Sequence, residues 1–349
     1  MVAPDIPVTR WVDTVIKLKI QHFHVNDFLF CDNEFDEVQI PPTLYTCKSL
    51  VSLHLCDVTM PDPEFVSLPC LKAIVLDIVN FAGDSALEKL ILGCPDLESL
   101  DITRSLCDDT EVLRVRSQSL LSFTIVSDSD DHVEDLLLAI DAPRLQYLSL
   151  SDGRTASFVL NNMGSLVKAH IDTVFGGKYD SNDIQKRNMI RDFLLGISRV
   201  KDMIIASTTL EVIYDHSRRE PLPLFRNLSF LRVEFGGYRW GMLPVFLERC
   251  SNLKSLVVGS ITNREEKVGI YVLPLPRCSL ASLEYVEIKR PLKGEAMEME
   301  LVSYLLENST ILKKLTLCLD GSKKKEESVI LKQLLNIPRL SASCQVVVL

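Results

Sequence analysis

Leu145-Gln146-Tyr147-Leu148-Ser149-Leu150 places apolar residues at the first, fourth and sixth positions of a short phrase, L-x-x-L-x-L. The phrase recurs along the whole chain. Before it stand Ile20-Phe23-Val25 (a degenerate copy), Leu50-Leu53-Leu55, Leu71-Ile74-Leu76, Leu97-Leu100-Ile102 and Leu120-Phe123-Ile125. After it come Leu166-Ala169-Ile171, Val200-Met203-Ile205, Leu228-Leu231-Val233, Leu253-Leu256-Val258, Leu283-Val286-Ile288 and Leu312-Leu315-Leu317. A unit of this size cannot bury its apolar face alone, so neighbouring copies must stack. The expected fold is α/β: a leucine-rich-repeat solenoid (horseshoe) with parallel strands on the concave face and irregular helices outside. Twelve strands about 4.8 Å apart give an inner arc on the order of 55 Å.

The gaps between copies are too long for strands alone. Leu166 to Val200 spans 34 residues. Ser85-Ala86-Leu87-Glu88 has the capping-box pattern, followed by Leu87, Leu90 and Ile91 at helical spacing. Residues 133–140, 190–197, 243–250 and 299–306 repeat that spacing, and residues 11–18 (Trp11, Val12, Val15, Ile16) read as an amphipathic helix capping the first repeat. Cys47, Cys94 and Cys250 each precede a first leucine by three residues, which marks them as buried structural thiols. The asparagine or cysteine that short leucine-rich repeats carry two residues beyond the last leucine is largely absent, so the turns must close irregularly.

Side chains alternate along a strand, so positions four and six point inward and positions three, five and seven share the opposite face. Position five reads His24, His54, Val75, Asp101, Thr124, Ser149, His170, Ile204, Arg232, Val257, Glu287, Thr316. Position three contributes the aromatics Tyr147, Phe230 and Tyr285. These mixed columns suit contact with another macromolecule. The candidate protein contacts are His54, Asp101, Tyr147, His170, Phe230, Arg232, Tyr285 and Glu287.

Composition narrows the function classes. The chain has 349 residues, net charge −9 and 47% hydrophobic residues. An acidic chain is a poor nucleic-acid ligand. No apolar run reaches the ~18 residues of a membrane helix and the N-terminus lacks signal-peptide character, so a cytoplasmic or nuclear setting with reduced thiols is expected. Lys323-Lys324-Lys325, followed by Glu326-Glu327, reads as a solvated loop. His22, His24 and His54 form the best metal-like group, yet no carboxylate joins them in the same columns before Asp77, and zinc needs three or four converging ligands. Gly236-Gly237-Tyr238-Arg239-Trp240-Gly241 and Gly321-Ser322-Lys323 lack phosphate-loop spacing. No catalytic motif appears, and neither catalysis nor a cofactor is expected.

Leu90-Ile91-Leu92-Gly93-Cys94-Pro95-Asp96-Leu97-Glu98-Ser99-Leu100 resembles the repeat phrase of plant F-box leucine-rich-repeat proteins. Pro276-Arg277-Cys278, Leu283-Glu284-Tyr285-Val286, Gly294-Glu295, the stretch 300–308, Leu312-Lys313-Lys314-Leu315 and 338–346 together resemble the FBD domain. Arg10-Trp11-Val12-Asp13-Thr14-Val15-Ile16 is similar to the short helix before the repeats in that family. The resemblance implies three parts: an N-terminal capping helix over 1–19, leucine-rich repeats over 20–272, and an FBD domain over 273–349 continuing the stack. It also implies substrate recognition in a Skp–cullin–F-box ubiquitin ligase, with an unidentified target protein held by the repeats. Residues 1–19 contain no F-box, so the Skp adaptor is expected as a partner only if an F-box is supplied upstream. Two alternatives follow: a stand-alone binding protein, or, by fold analogy, a small-molecule-sensing receptor.

Overall fold

The computed structural model describes residues 8–26, 40–104, 110–127, 134–153, 155–176, 179–235, 242–260, 279–319 and 324–349. They form two compact units, the first drawn from Met1–Leu166, Thr173–Lys178 and Asn188–Gly196, the second from Val167–Asp172, Tyr179–Arg187 and Ile197–Leu349.

In the first unit, α1 (Val8–Lys17) leads into β1 (His22–Asn26), β2 (Ser52–Cys56), the short β3 (Thr59–Met60) and β4 (Ala73–Phe81). Then come α2 (Ala86–Leu92), β5 (Ser99–Arg104), β6 (Val112–Arg116), β7 (Ser122–Ser127), β8 (Glu134–Asp141), β9 (Tyr147–Ser151) and β10 (Thr155–Asn161). The main layer is parallel in the order β1-β2-β4-β5-β7-β9. A second parallel layer, β10-β8-β6, fills the connections between its later strands. Phe158, Phe175 and Phe193 pack edge-to-face, with ring centroids 5.0–5.5 Å apart.

The second unit runs β11 (Lys168–Asp172), β12 (Asp202–Ala206), β13 (Phe230–Phe235), β14 (Ser255–Ser260), β15 (Tyr285–Leu292), β16 (Lys314–Leu319) and β17 (Gln345–Val348), all parallel and in chain order. Its connections hold α3 (Ile184–Ile197), whose middle belongs to the first unit, then α4 (Ser207–Ser217), α5 (Leu243–Leu247), α6 (Ala296–Asn308) and α7 (Lys324–Asn336).

Every copy of the phrase became a strand, and its inward leucines are sealed: Leu53, Leu55, Leu100, Leu148, Leu231 and Leu315 are buried. The backbone repeats as faithfully as the side chains. In ten copies two successive amides donate to one carbonyl of the copy before. Glu98 and Ser99 share Lys72 O at 2.8 and 2.9 Å, and Lys254 and Ser255 share Ser229 O at 2.9 and 3.0 Å. This fork fixes the register, so no strand can slip by one residue and turn its leucines outward. A second recurring bond closes the turn: the first leucine donates to the carbonyl three residues earlier, as in Leu97 to Cys94 and Leu253 to Cys250. That position is walled in by the turn, which explains the phase of the buried cysteines. The Cys94 and Cys250 thiols donate to Leu90 O at 3.0 Å and Phe246 O at 3.3 Å. At the other end of the phrase, before the first leucine, a hydroxyl bond recurs. Ser49, Ser119 and Ser282, each just before a first leucine, donate their hydroxyls to a carbonyl of the preceding copy at 2.8 Å.

Three local expectations are corrected. Residues 134–141 are strand β8, not helix: Leu136, Leu138 and Ile140 are buried with Leu137 and Ala139 less so, a period of two. Position 133 lies outside the described residues. The triple leucine satisfies both periods, and pairing with β6 and β10 decides between them. The helix after Ser85 forms, yet Ser85 does not cap it; its hydroxyl donates to Asp62 at 2.9 Å, and Lys89 binds the same carboxylate. A capping box stands instead at α6, between Glu295 and Glu298. Lys324 to Glu327 open helix α7 rather than a loop, because Ile330 and Leu334, one turn apart, give that segment a face to bury.

Candidate functional site

The strand face opposite the leucines carries the candidate contacts. In the first unit His54, Asp101 and Tyr147 lie on β2, β5 and β9. His24 and His54 are in register and stack at 4.0 Å with planes 2° apart. Burial, then the neighbouring His24, holds the His54 imidazole below the usual histidine range, with Asp77 opposing. Two residues on, the Cys56 thiol faces Asp77 at 3.7 Å, and burial together with that carboxylate raises its pKa. Among the described residues no three His, Cys, Asp or Glu side chains gather as a metal site. The Ser99 hydroxyl donates to Asp101 at 3.4 Å, and Tyr147 is 37% exposed.

The second unit brings the remaining candidates closer. Phe230 and Arg232 on β13, and Tyr285 and Glu287 on β15, stand either side of Ser255 and Val257 on β14. Arg232 binds Glu234 at 2.8 Å, and its guanidinium lies beside Gly259. Lys289 approaches Glu287 at 3.8 Å. Tyr285 is 46% exposed with the Lys313 ammonium 5.7 Å from its ring centre, and Lys313 is anchored by Glu284. His170 lies two strands from Arg232 in the same column.

The outward columns are not uniformly open. Cys56, Ser149, Ala206 and Val257, small or medium side chains, are buried. Asp152 is a buried carboxylate just beyond β9, bound by the Ser127 hydroxyl at 2.6 Å and by the Thr155 amide and hydroxyl; its place beside Ser151 gave no signal in the periodicity. A cavity of about 360 Å³ on the connecting segments of the second unit, lined by Tyr179, Ser181, Asp215, Arg218 and Arg219, was likewise not visible in the repeat pattern. Gly236 to Gly241 and Gly321 to Lys323 lie outside the described residues. No described helix is long and apolar enough to cross a membrane.

Parallel strands with sealed leucines on one side and registered polar columns on the other define a leucine-rich-repeat module, and comparison with known proteins gives its family. Residues 8–168 match the family model for the LRR repeats of FBD-associated F-box protein At5g56370, and residues 273–317 match the FBD model. Three relatives from Arabidopsis thaliana align over nearly the whole chain. F-box/FBD/LRR-repeat protein At1g78750 is 63% identical over 98% of this chain and 75% of its own length. F-box/LRR-repeat protein 13 is 63% identical over 99% and 77%, and FBD-associated F-box protein At4g13985 is 59% identical over 98% and 74%. The chain belongs to the F-box/FBD/LRR-repeat family.

Proposed function

We propose that this chain is a substrate-recognition module: its strand face holds a target protein, and, joined to an F-box, it presents that target to a Skp–cullin ubiquitin ligase. The observation that carries this reading is the register of the outward columns. Rows such as Phe230, Ser255, Tyr285 and Lys314 run continuously across neighbouring strands, giving a surface built from rigid elements rather than loops. It mixes exposed aromatics with paired charges, the composition of a protein-binding patch. His54, Asp101 and Tyr147 are the contacts we assign to the strand face of the first unit, and His170, Phe230, Arg232, Tyr285 and Glu287 those of the second.

The ligase half is tested with the purified Skp adaptor, using the chain with and without an F-box joined ahead of residue 1. Adaptor retention and target ubiquitination only with the F-box support the proposal. Adaptor retention without target ubiquitination would leave a binding protein that recruits no substrate to the ligase. Charge reversal at Arg232 and Glu287 should weaken target capture at least tenfold without changing adaptor binding, since charged contacts at the centre of an interface carry more than about 1.4 kcal/mol.

A further inference from the structure

The geometry points to an aromatic slot on the second unit, built to take one aromatic side chain of an extended partner segment with an acidic residue beside it. This rests on the proposal that the strand face binds protein. Four residues in successive strands form the row: Phe230 on β13, Ser255 on β14, Tyr285 on β15, Lys314 on β16. The first and third are aromatic and the one between them is among the smallest side chains available. Phe230 and Tyr285 are two strands apart, a separation of about 9.6 Å at the usual strand spacing. A planar ring standing above Ser255 would lie about 4.8 Å from each, within the ~4.5–7 Å at which aromatic rings attract one another. Among the described residues neither Phe230 nor Tyr285 contacts another aromatic ring, so no ring of this chain occupies the slot.

Its floor and walls limit what else could enter. Below Ser255 along β14 come Val257, 9% exposed, and Gly259, beside which the Arg232 guanidinium lies. The slot is therefore open at the Ser255 level and closed further along. Lys313 draws its ammonium toward the Tyr285 ring, fixing the wall on that side.

Charge supplies the second half of the partner's chemistry. The outward columns of this unit hold four cations. Lys168 is paired with Asp202, Arg232 with Glu234 and Lys289 with Glu287. Lys314 is exposed and has no carboxylate partner among the described residues. It occupies the same row as the slot, one strand beyond Tyr285. A carboxylate flanking the inserted ring is the complementary group.

The probe is the peptide acetyl-Glu-Trp-Glu-amide, compared with acetyl-Gln-Trp-Gln-amide, titrated into the isotope-labelled full chain and followed by NMR. We expect millimolar binding with shifts centred on the amides of Phe230, Ser255 and Tyr285. The acidic peptide should bind about two- to five-fold more tightly, the range of one exposed ion pair. Lys314→Gln should erase that preference. Tyr285→Ala and Phe230→Ala should each weaken binding about two- to ten-fold. Ser255→Phe fills the slot from its floor and should abolish binding, with an unchanged melting temperature showing that the fold is intact. Absence of binding, shifts scattered over other strands, or unaltered binding by Ser255→Phe would overturn the slot. Retained target capture by Ser255→Phe in the same preparations would then show that the strand-face reading survives without it.

Discussion

Leu100 and Asp101 are adjacent in β5 and should respond very unequally to the same truncation. Leu100 is completely buried, in register with Ile74 on β4 and Phe123 on β7, which are equally sealed. Leu100→Ala removes packing from both neighbours at once. Truncations of this kind cost about 2–5 kcal/mol, the upper part applying where surroundings cannot collapse. Two strands held by the shared-carbonyl fork leave little room to collapse, so about 3–4 kcal/mol is expected. With a urea m-value of about 3 kcal/mol/M, the midpoint should fall by about 1 M. Asp101 is half-exposed and accepts one long bond from Ser99, so Asp101→Ala should stay within about 0.5 kcal/mol. Leu100→Asp is more severe than Leu100→Ala, because it leaves an unpaired charge in the stack. Urea unfolding followed by circular dichroism measures the totals. Hydrogen exchange of the β4, β5 and β7 amides then shows whether the loss is confined to neighbouring repeats, as nearest-neighbour stacking requires. Equal losses for Leu100→Ala and Asp101→Ala would refute the inward and outward assignment on which the surface depends.

Three further outcomes follow from particular contacts. The His54 imidazole is held below its ordinary value of 6.5, so the unfolded chain binds the proton more readily. Stability contributed here is therefore complete above about pH 6.5 and is lost as pH falls from there through the folded value; His54→Asn should flatten the pH dependence of β1–β2 amide exchange between pH 5 and 8. Gly93 closes α2, and a Cβ there would meet the Val66 carbonyl oxygen at 2.7 Å, so Gly93→Ala should cost about 1–3 kcal/mol in thermal unfolding despite an ordinary backbone conformation. Burial pushes the Cys94 thiol up to about 12, whereas Cys70 is exposed; iodoacetamide at pH 8 should label Cys70 in the native chain and spare Cys94, as read by peptide mass spectrometry.

The leucine phrase carried the strand layers, because burial on one face leaves a period that survives any variation in the connections. It could not carry β8, where Leu136-Leu137-Leu138 obeys two periods at once, nor the second layer β10-β8-β6, which no repeat announces. Ser85 looked like a cap because the pattern of four residues is local; Asp62, 23 positions away, takes its hydroxyl. The surface columns were legible from alternation, including the position-five column and the aromatics Tyr147, Phe230 and Tyr285. What alternation could not show was burial on that face: Val257 and Ser149 stand in outward columns yet are buried. Nor could it show that Phe230, Arg232, Tyr285 and Glu287 flank one strand while His54, Asp101 and Tyr147 belong to another unit, since that depends on which copies pair with which.

Site-specific photo-crosslinking tests the binding face most directly. A benzophenone side chain placed at Tyr285 or Asp101, on the strand face, should crosslink one partner that is absent when it replaces Leu92 or Leu331, exposed on helices α2 and α7. Crosslinks confined to the helical positions, with none from the strands, would contradict a partner held on the strand face.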